Sequence, residues 1–264
     1  MRHQRFLFVS ENRSQCGRIG GPPASELGVP MRAALHVAVA QPLCVPYDVT
    51  QNAVAHAAAV RAAAARVVVF PELSLTGYEL GAPALTASDP RLCPLAEACA
   101  ETGSVALAGA PVPGEGGRPH IAVLAVDGAG ISVAYRKLWL GDAEAGRFAP
   151  GDKPAVLEVD GWRLGLAICK DVSVPQHQVD TAALGVDAYV AGTVMSADER
   201  DLQDERASRM AAQHGMWVAI ASFAGATGEG YSDCAGRSGI WLPDGTLAVQ
   251  AGTEPGAVVS ALLG

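Results

Sequence analysis

Short apolar runs that stop abruptly constrain this chain more than any other feature of it. ALHVAVAQ (34–41) ends at Pro42, and RVVVFPE (66–72) turns at Pro71 into an acid. LGLAICKD (164–171), DAYVAGT (187–193) and WVAIASF (217–223) have the same make-up, dense in Ala, Val and Ile and too short for a core helix. Runs of this length and composition read as strands buried on both faces. None approaches the ~20 apolar residues of a membrane span.

Stretches with helical character separate these runs. Residues 49–65 suit a helix with Asp48 or Thr50 as N-cap, 90–102 a second one stopped by Gly103, and 175–185 a third. Ser196-x-x-Glu199 forms a capping-box pattern opening a polar-faced helix to His214, closed by Gly215. Further strands are expected at 104–110, 120–127, 131–136, 155–159, 162–169, 238–241, 246–251 and 257–262. DGAG and Asp160-Gly161 supply hairpin turns. Hairpins mixed with β-α-β passages, and no internal repeat or linker, predict a single α/β domain of two stacked mixed sheets with helices outside.

Composition narrows the function. Half the residues are hydrophobic and the net charge is -8, which argues against a nucleic-acid partner, since that needs clustered cations. The six cysteines are irregularly spaced with no CxxC, and the six histidines form no HExxH, so no metal and no other cofactor is expected. The expected setting is cytoplasmic, without a membrane partner. MRHQRFLFVS begins like a signal peptide, but its apolar run is too short and ENRSQCGRIGGPP follows it. Residues 1–30 are therefore read as a disordered leader or as sequence upstream of a misplaced start. Met31 is then the functional start of a domain covering 31–264.

Alone, Cys169 in LGLAICKD reads as a small buried hydrophobe. Glu72 after RVVVFP reads as a cap or surface acid, Lys137 in YRK as a solvated lysine, and Glu144 in GDAEAGRFAPG as a loop acid. Taken together, all four sit at a strand end or in the loop after one, where α/β proteins build their sites. In this order and context the chain resembles the nitrilase (carbon-nitrogen hydrolase) superfamily, in its amidase-like form. The matching stretches are VVVFPELSLTGYEL, YRKLWLGDAEAGRFAPGD, LGLAICKD and GRSGIWLPDGTLAVQAG, spread over about residues 34 to 260. The step of 7 from Lys137 to Glu144 and of 32 to Cys169 suits that family.

The resemblance implies an α-β-β-α sandwich that stacks into four layers in a homodimer. It implies cysteine-dependent hydrolysis of a small linear amide or carbamoyl compound through a thioester. Cys169 is then the nucleophile, Glu72 the general base and Lys137 the cation facing the tetrahedral intermediate. Glu144 supports Lys137, and the backbone N–H of Lys170 joins the oxyanion site. Tyr78 is expected near Glu72, and residues 191–199 along the pocket. Two positions depart from the family pattern: Lys170 stands where an aromatic is usual, and Pro175-Gln176 where Pro-Glu is usual. The Lys170 side chain would favour the thiolate, meet an anionic group of the substrate, or turn away to pair with an acid. The competing readings are a non-catalytic nitrilase-like scaffold, a true nitrilase, and a papain-like enzyme pairing Cys169 with His177 or His214.

Overall fold

The apolar runs become two six-stranded sheets laid face to face. The computed structural model describes residues 32–264, and the leader reading of residues 1–30 lies outside the described residues. The strands are β1 (Leu35–Gln41), β2 (Val67–Val69), β3 (Val105–Val112), β4 (His120–Asp127), β5 (Gly130–Arg136), β6 (Ala155–Val159) and β7 (Trp162–Ile168). They continue with β8 (Ala188–Thr193), β9 (Trp217–Ser222), β10 (Ala224–Gly225), β11 (Cys234–Ala235), β12 (Gly239–Trp241), β13 (Leu247–Gln250) and β14 (Ala257–Leu263). The helices are α1 (Val49–Ala63), α2 (Cys93–Thr102), α3 (Asp142–Ala145), α4 (Lys170–Ser173), α5 (Pro175–Ala182) and α6 (Arg200–His214).

One sheet has the order β14-β1-β2-β3-β4-β5 and the other β13-β12-β9-β8-β7-β6, while β10 and β11 form a separate ladder. In each large sheet a parallel trio, β1-β2-β3 or β7-β8-β9, is flanked by antiparallel strands. Alternation along the strands fills three apolar layers. Val37, Val39, Val67 and Val69 meet Leu164, Leu166, Ile168 and Val190 between the sheets. Ala38, Val68 and Ala106 carry α1 and α2 through Ala53, Val60 and Leu95. On the far side Tyr189, Ala191 and Val218 carry α6 through Ala207, Met210 and Ala211. The central strands are thus covered on both faces, which is why they read as continuous apolar runs rather than alternating ones.

Local signals work as their chemistry dictates. Asp48 caps α1 by accepting from Gln51 N at 2.9 Å, and Ala64 ends it in the left-handed region. Asp160 and Gly161 turn the β6–β7 hairpin with φ of 50° and 80°, as a two-residue turn requires. The Ser196–Glu199 box caps a short 3-10 turn, Ala197–Glu199, which runs on into α6. Helix α2 likewise follows a 3-10 turn, Pro90–Leu92, and α5 stops at Ala182. Among the described residues no helix is long and apolar enough to cross a membrane.

Candidate active site

Glu72 sits where the chain leaves β2 and passes between the two sheets. Strand β2 closes at Val69, and Pro71 has no N–H to continue a ladder. Two glycines make room for this segment. A Cβ on Gly109 of β3 would lie 2.3 Å from Leu73 N and 2.5 Å from Pro71 O. A Cβ on Gly192 of β8 would lie 2.4 Å from Phe70 O and 2.9 Å from Glu72 N. Backbone is therefore packed against backbone on both sides of Glu72. Leu73 and Tyr78 continue this loop at φ of 50° and 51°, a region that costs about 1–3 kcal/mol for a side-chain-bearing residue unless its surroundings hold it there.

Lys137 follows β5 and is 1 % exposed. Its N–H donates to Ile121 O at 2.8 Å and its carbonyl accepts from Gly151 N at 2.8 Å, so the backbone is fixed on both sides. The ammonium lies between two buried carboxylates, 2.6 Å from Glu72 Oε1 and 2.7 Å from Glu144 Oε1. Glu144 sits on α3, where its Oε2 accepts from Gly141 N at 2.7 Å and its Oε1 from the Tyr78 hydroxyl at 3.1 Å. Burial raises the Glu72 carboxyl from 4.5 to about 7, with Lys137 opposing the rise and Glu144 adding to it. Burial alone would weaken the Lys137 ammonium, but the charges of Glu72 and Glu144 outweigh it and keep the group firmly protonated.

Cys169 stands at the junction of β7 and α4 with φ 44° and ψ -97°, well outside the ordinary regions for a side-chain-bearing residue. Its N–H donates to Gly192 O at 3.0 Å, so the glycine that clears space for Glu72 also anchors the cysteine. The thiol donates to Val194 O at 3.3 Å. It is also near enough to Glu72 to stabilise that carboxylate, although its aligned hydrogen bond runs to Val194. Glu72 Oε2 is buried and has no hydrogen-bond partner among the described residues, so it is a free acceptor. Burial, then the Glu72 charge, pushes the thiol above its usual range, and Lys137 pulls it back. The resting group is a thiol waiting for a base.

A buried network that the sequence did not announce braces this turn. Asp171 Oδ2 accepts from Ile168 N at 3.0 Å and from the Tyr135 hydroxyl at 2.8 Å, and Oδ1 accepts from Trp139 N at 2.9 Å. One carboxylate thereby joins the cysteine turn to the segment after Lys137. His177 lies between the Tyr135 and Tyr189 hydroxyls at 2.9 and 2.8 Å, so it serves this network rather than Cys169. A Cys–His pairing through His177 is thereby set aside. Tyr135 stands in the YRK motif and Asp171 beside the cysteine, but only the folded chain brings them together.

A cavity of about 200 Å³ opens at the Cys169 thiol. Thr193, Val194, Met195 and Glu199 line it, in keeping with the expectation for residues 191–199, and Tyr231 adds an aromatic wall. Lys170 also lines it, and its side chain is half-exposed with the ammonium 3.9 Å from the fully exposed Asp142. Among the described residues no cluster of three or more His, Cys, Asp or Glu side chains could hold a metal.

The chain belongs to the carbon-nitrogen hydrolase family, whose profile matches residues 36–263. It is similar to a Pseudomonas protegens hydrolase, 30% identical over 88% of this chain and 82% of that one. A Mycobacterium tuberculosis hydrolase is 31% identical over 75% of this chain and 78% of its own. An amidase of Nesterenkonia sp. AN1 superposes with a TM-score of 0.78 at 24% identity, covering 89% of this chain and 92% of that one. Saccharomyces cerevisiae Nit3, a member of branch 10 of the nitrilase superfamily, gives 0.78 at 18% identity, covering 88% and 90%. The protein is a carbon-nitrogen hydrolase built as an α/β sandwich.

Proposed function

We propose that this enzyme hydrolyses a small linear amide or carbamoyl compound through a thioester on Cys169. The observation that carries this reading is the buried Lys137 ammonium, held at 2.6 and 2.7 Å by Glu72 and Glu144 beside the strained cysteine. Glu72 takes the thiol proton as sulfur attacks the carbonyl carbon. With a pKa of about 7, it can both accept and return a proton near neutral pH. The negative oxygen of the tetrahedral intermediate faces the Lys137 ammonium and the Lys170 N–H. That N–H is the first donor of α4 and so has no acceptor within the helix. Removing one donor of this kind typically costs about 2.7–4 kcal/mol of transition-state stabilisation.

Glu72 then passes its proton to the leaving nitrogen, the carbon–nitrogen bond breaks, and ammonia or an amine departs from the thioester. A water molecule gives its proton to Glu72 and attacks the thioester carbon. The second tetrahedral intermediate expels the sulfur, which regains the proton from Glu72, and the carboxylic acid leaves.

Relatives lend support. The Nesterenkonia amidase has been solved with butyramide, and with the acetamide moiety of fluoroacetamide added covalently at its active-site cysteine. A Pseudomonas sp. (R)-stereoselective amidase is 32% identical over 47% of this chain. The reading includes a cytoplasmic homodimer, the assembly being open to light scattering. Its test is an ammonia-release screen over short aliphatic amides, monoamides of dicarboxylic acids, N-carbamoyl compounds and nitriles. Release from an amide or carbamoyl compound that ceases in Cys169→Ala is the expected result. Nitriles as the sole substrates, or release that survives in the variant, would count against it.

A further inference from the structure

The cavity beside Cys169 carries charge that hydrolysis of a carbon–nitrogen bond does not require. Lys170 and Arg206 both line it, together with an apolar wall of Val172, Val194 and Ile220. Arg206 is half-buried on α6 and makes no ion pair with a described carboxylate. Among the described residues Lys170 pairs only with Asp142, at 3.9 Å and itself fully exposed, and an exposed pair of that length adds little. Glu199 also lines the cavity, but its Oε2 accepts from Ser196 N at 3.1 Å as part of the cap before α6. Two cations sharing one small, partly apolar cavity repel each other and lose hydration. An anion bound between them offsets both effects.

We propose that Lys170 and Arg206 form a carboxylate-recognition site, so that the preferred substrates are amides whose acyl chain ends in a free carboxylate, such as monoamides of short dicarboxylic acids. This rests on the reading of Cys169 as the nucleophile, because the same cavity holds the thiol and both cations. Its volume of about 200 Å³ falls below the ~300–1,000 Å³ of sites for drug-sized ligands, which suits a short chain. Lys170 thereby gains a purpose at the position next to the nucleophile. Its backbone N–H then serves the oxyanion, and its ammonium is within reach of a carboxylate held in the cavity.

The test compares kcat/KM for succinamate and glutaramate with that for their uncharged isosteres, butyramide-type and valeramide-type amides of matched length. The wild-type enzyme is expected to favour the carboxylates by about 10- to 100-fold, the effect of a charge-assisted hydrogen bond, with the preference shrinking as salt is raised. Arg206→Gln and Lys170→Gln should each lower the carboxylate-to-neutral ratio by about tenfold or more, mainly through KM. Arg206→Glu should shift preference towards ω-amino amides. Ammonia release from neutral amides with no gain from the carboxylate overturns this inference and leaves the amidase reading standing. No release from any amide in the panel overturns both. A ratio unchanged in folded Arg206→Gln and Lys170→Gln enzymes also removes the proposed site.

Discussion

Replacing Lys137 by Met removes the ammonium while keeping most of the volume of the side chain. Glu72 then loses its partner at 2.6 Å and Glu144 its partner at 2.7 Å, with both carboxylates still buried. Breaking a buried ion pair from one side costs about 3–5 kcal/mol. For a domain of this size that lowers Tm by about 6–20 °C. The pH dependence is the sharper signature. In the wild type the Glu72 carboxyl moves from 4.5 unfolded to about 7 folded, so its stabilising protonation is lost as pH rises through 7. Without Lys137, burial and the Glu144 charge are opposed only by the Cys169 thiol and carry the folded value higher. Below pH 7 the two proteins lose stability in parallel as pH rises. Above it only the variant continues to lose, by about 1.4 kcal/mol per pH unit. Urea unfolding of both proteins at pH 6 and pH 8 measures this directly. A stability gap that stays constant or narrows at pH 8 would refute a Lys137 that holds Glu72 ionised.

Three further outcomes follow from the same geometry. The wild-type kcat/KM should rise with pH along an acid limb centred near 7, because Glu72 must be ionised to accept the thiol proton; a limb at 4.5 would place the base elsewhere. Gly192→Ala puts a Cβ 2.4 Å from Phe70 O and must displace the Glu72 segment. Activity should fall by about 100-fold, with a stability loss of about 1–3 kcal/mol, and wild-type turnover in a folded variant would contradict that packing. Asp171→Asn turns one of its accepting oxygens into a donor that faces either Trp139 N or Ile168 N, at a cost of about 1–3 kcal/mol in urea unfolding. A variant as stable as the wild type would mean that this carboxylate does not brace the cysteine turn.

Much of the architecture was legible in residues. RVVVFPE and LGLAICKD announce strands because their apolar residues are buried on both sides, and each motif residue stands where its strand stops. Asp48, Asp160-Gly161 and Ser196-x-x-Glu199 are local devices that act within a few residues, so their chemistry survives translation into sequence pattern. Helices α3 and α4 were not legible, since four residues set up no helical period. Nor could any pattern reveal that Gly109 and Gly192, on different sheets, enclose the backbone of Glu72. The positive φ of Cys169 is imposed by its surroundings rather than encoded by its type. Arg206 lies on a polar helix where most arginines are solvated. Arg206 shares a cavity with Lys170 and the thiol because α6 packs on the sheet in which β7, β8 and β9 are neighbours, and no helical pattern displays that.

The most direct measurement is peptide mapping by mass spectrometry after acid-quenching the enzyme during turnover of an amide. The expected result is an acyl mass on the peptide containing Cys169, absent from Cys169→Ala and lost in Glu72→Gln, where the thiol has no base and the leaving nitrogen no acid. An acyl mass on exposed Cys93 instead, or undiminished turnover by Cys169→Ala, would contradict a thioester mechanism built on Glu72, Lys137 and Cys169.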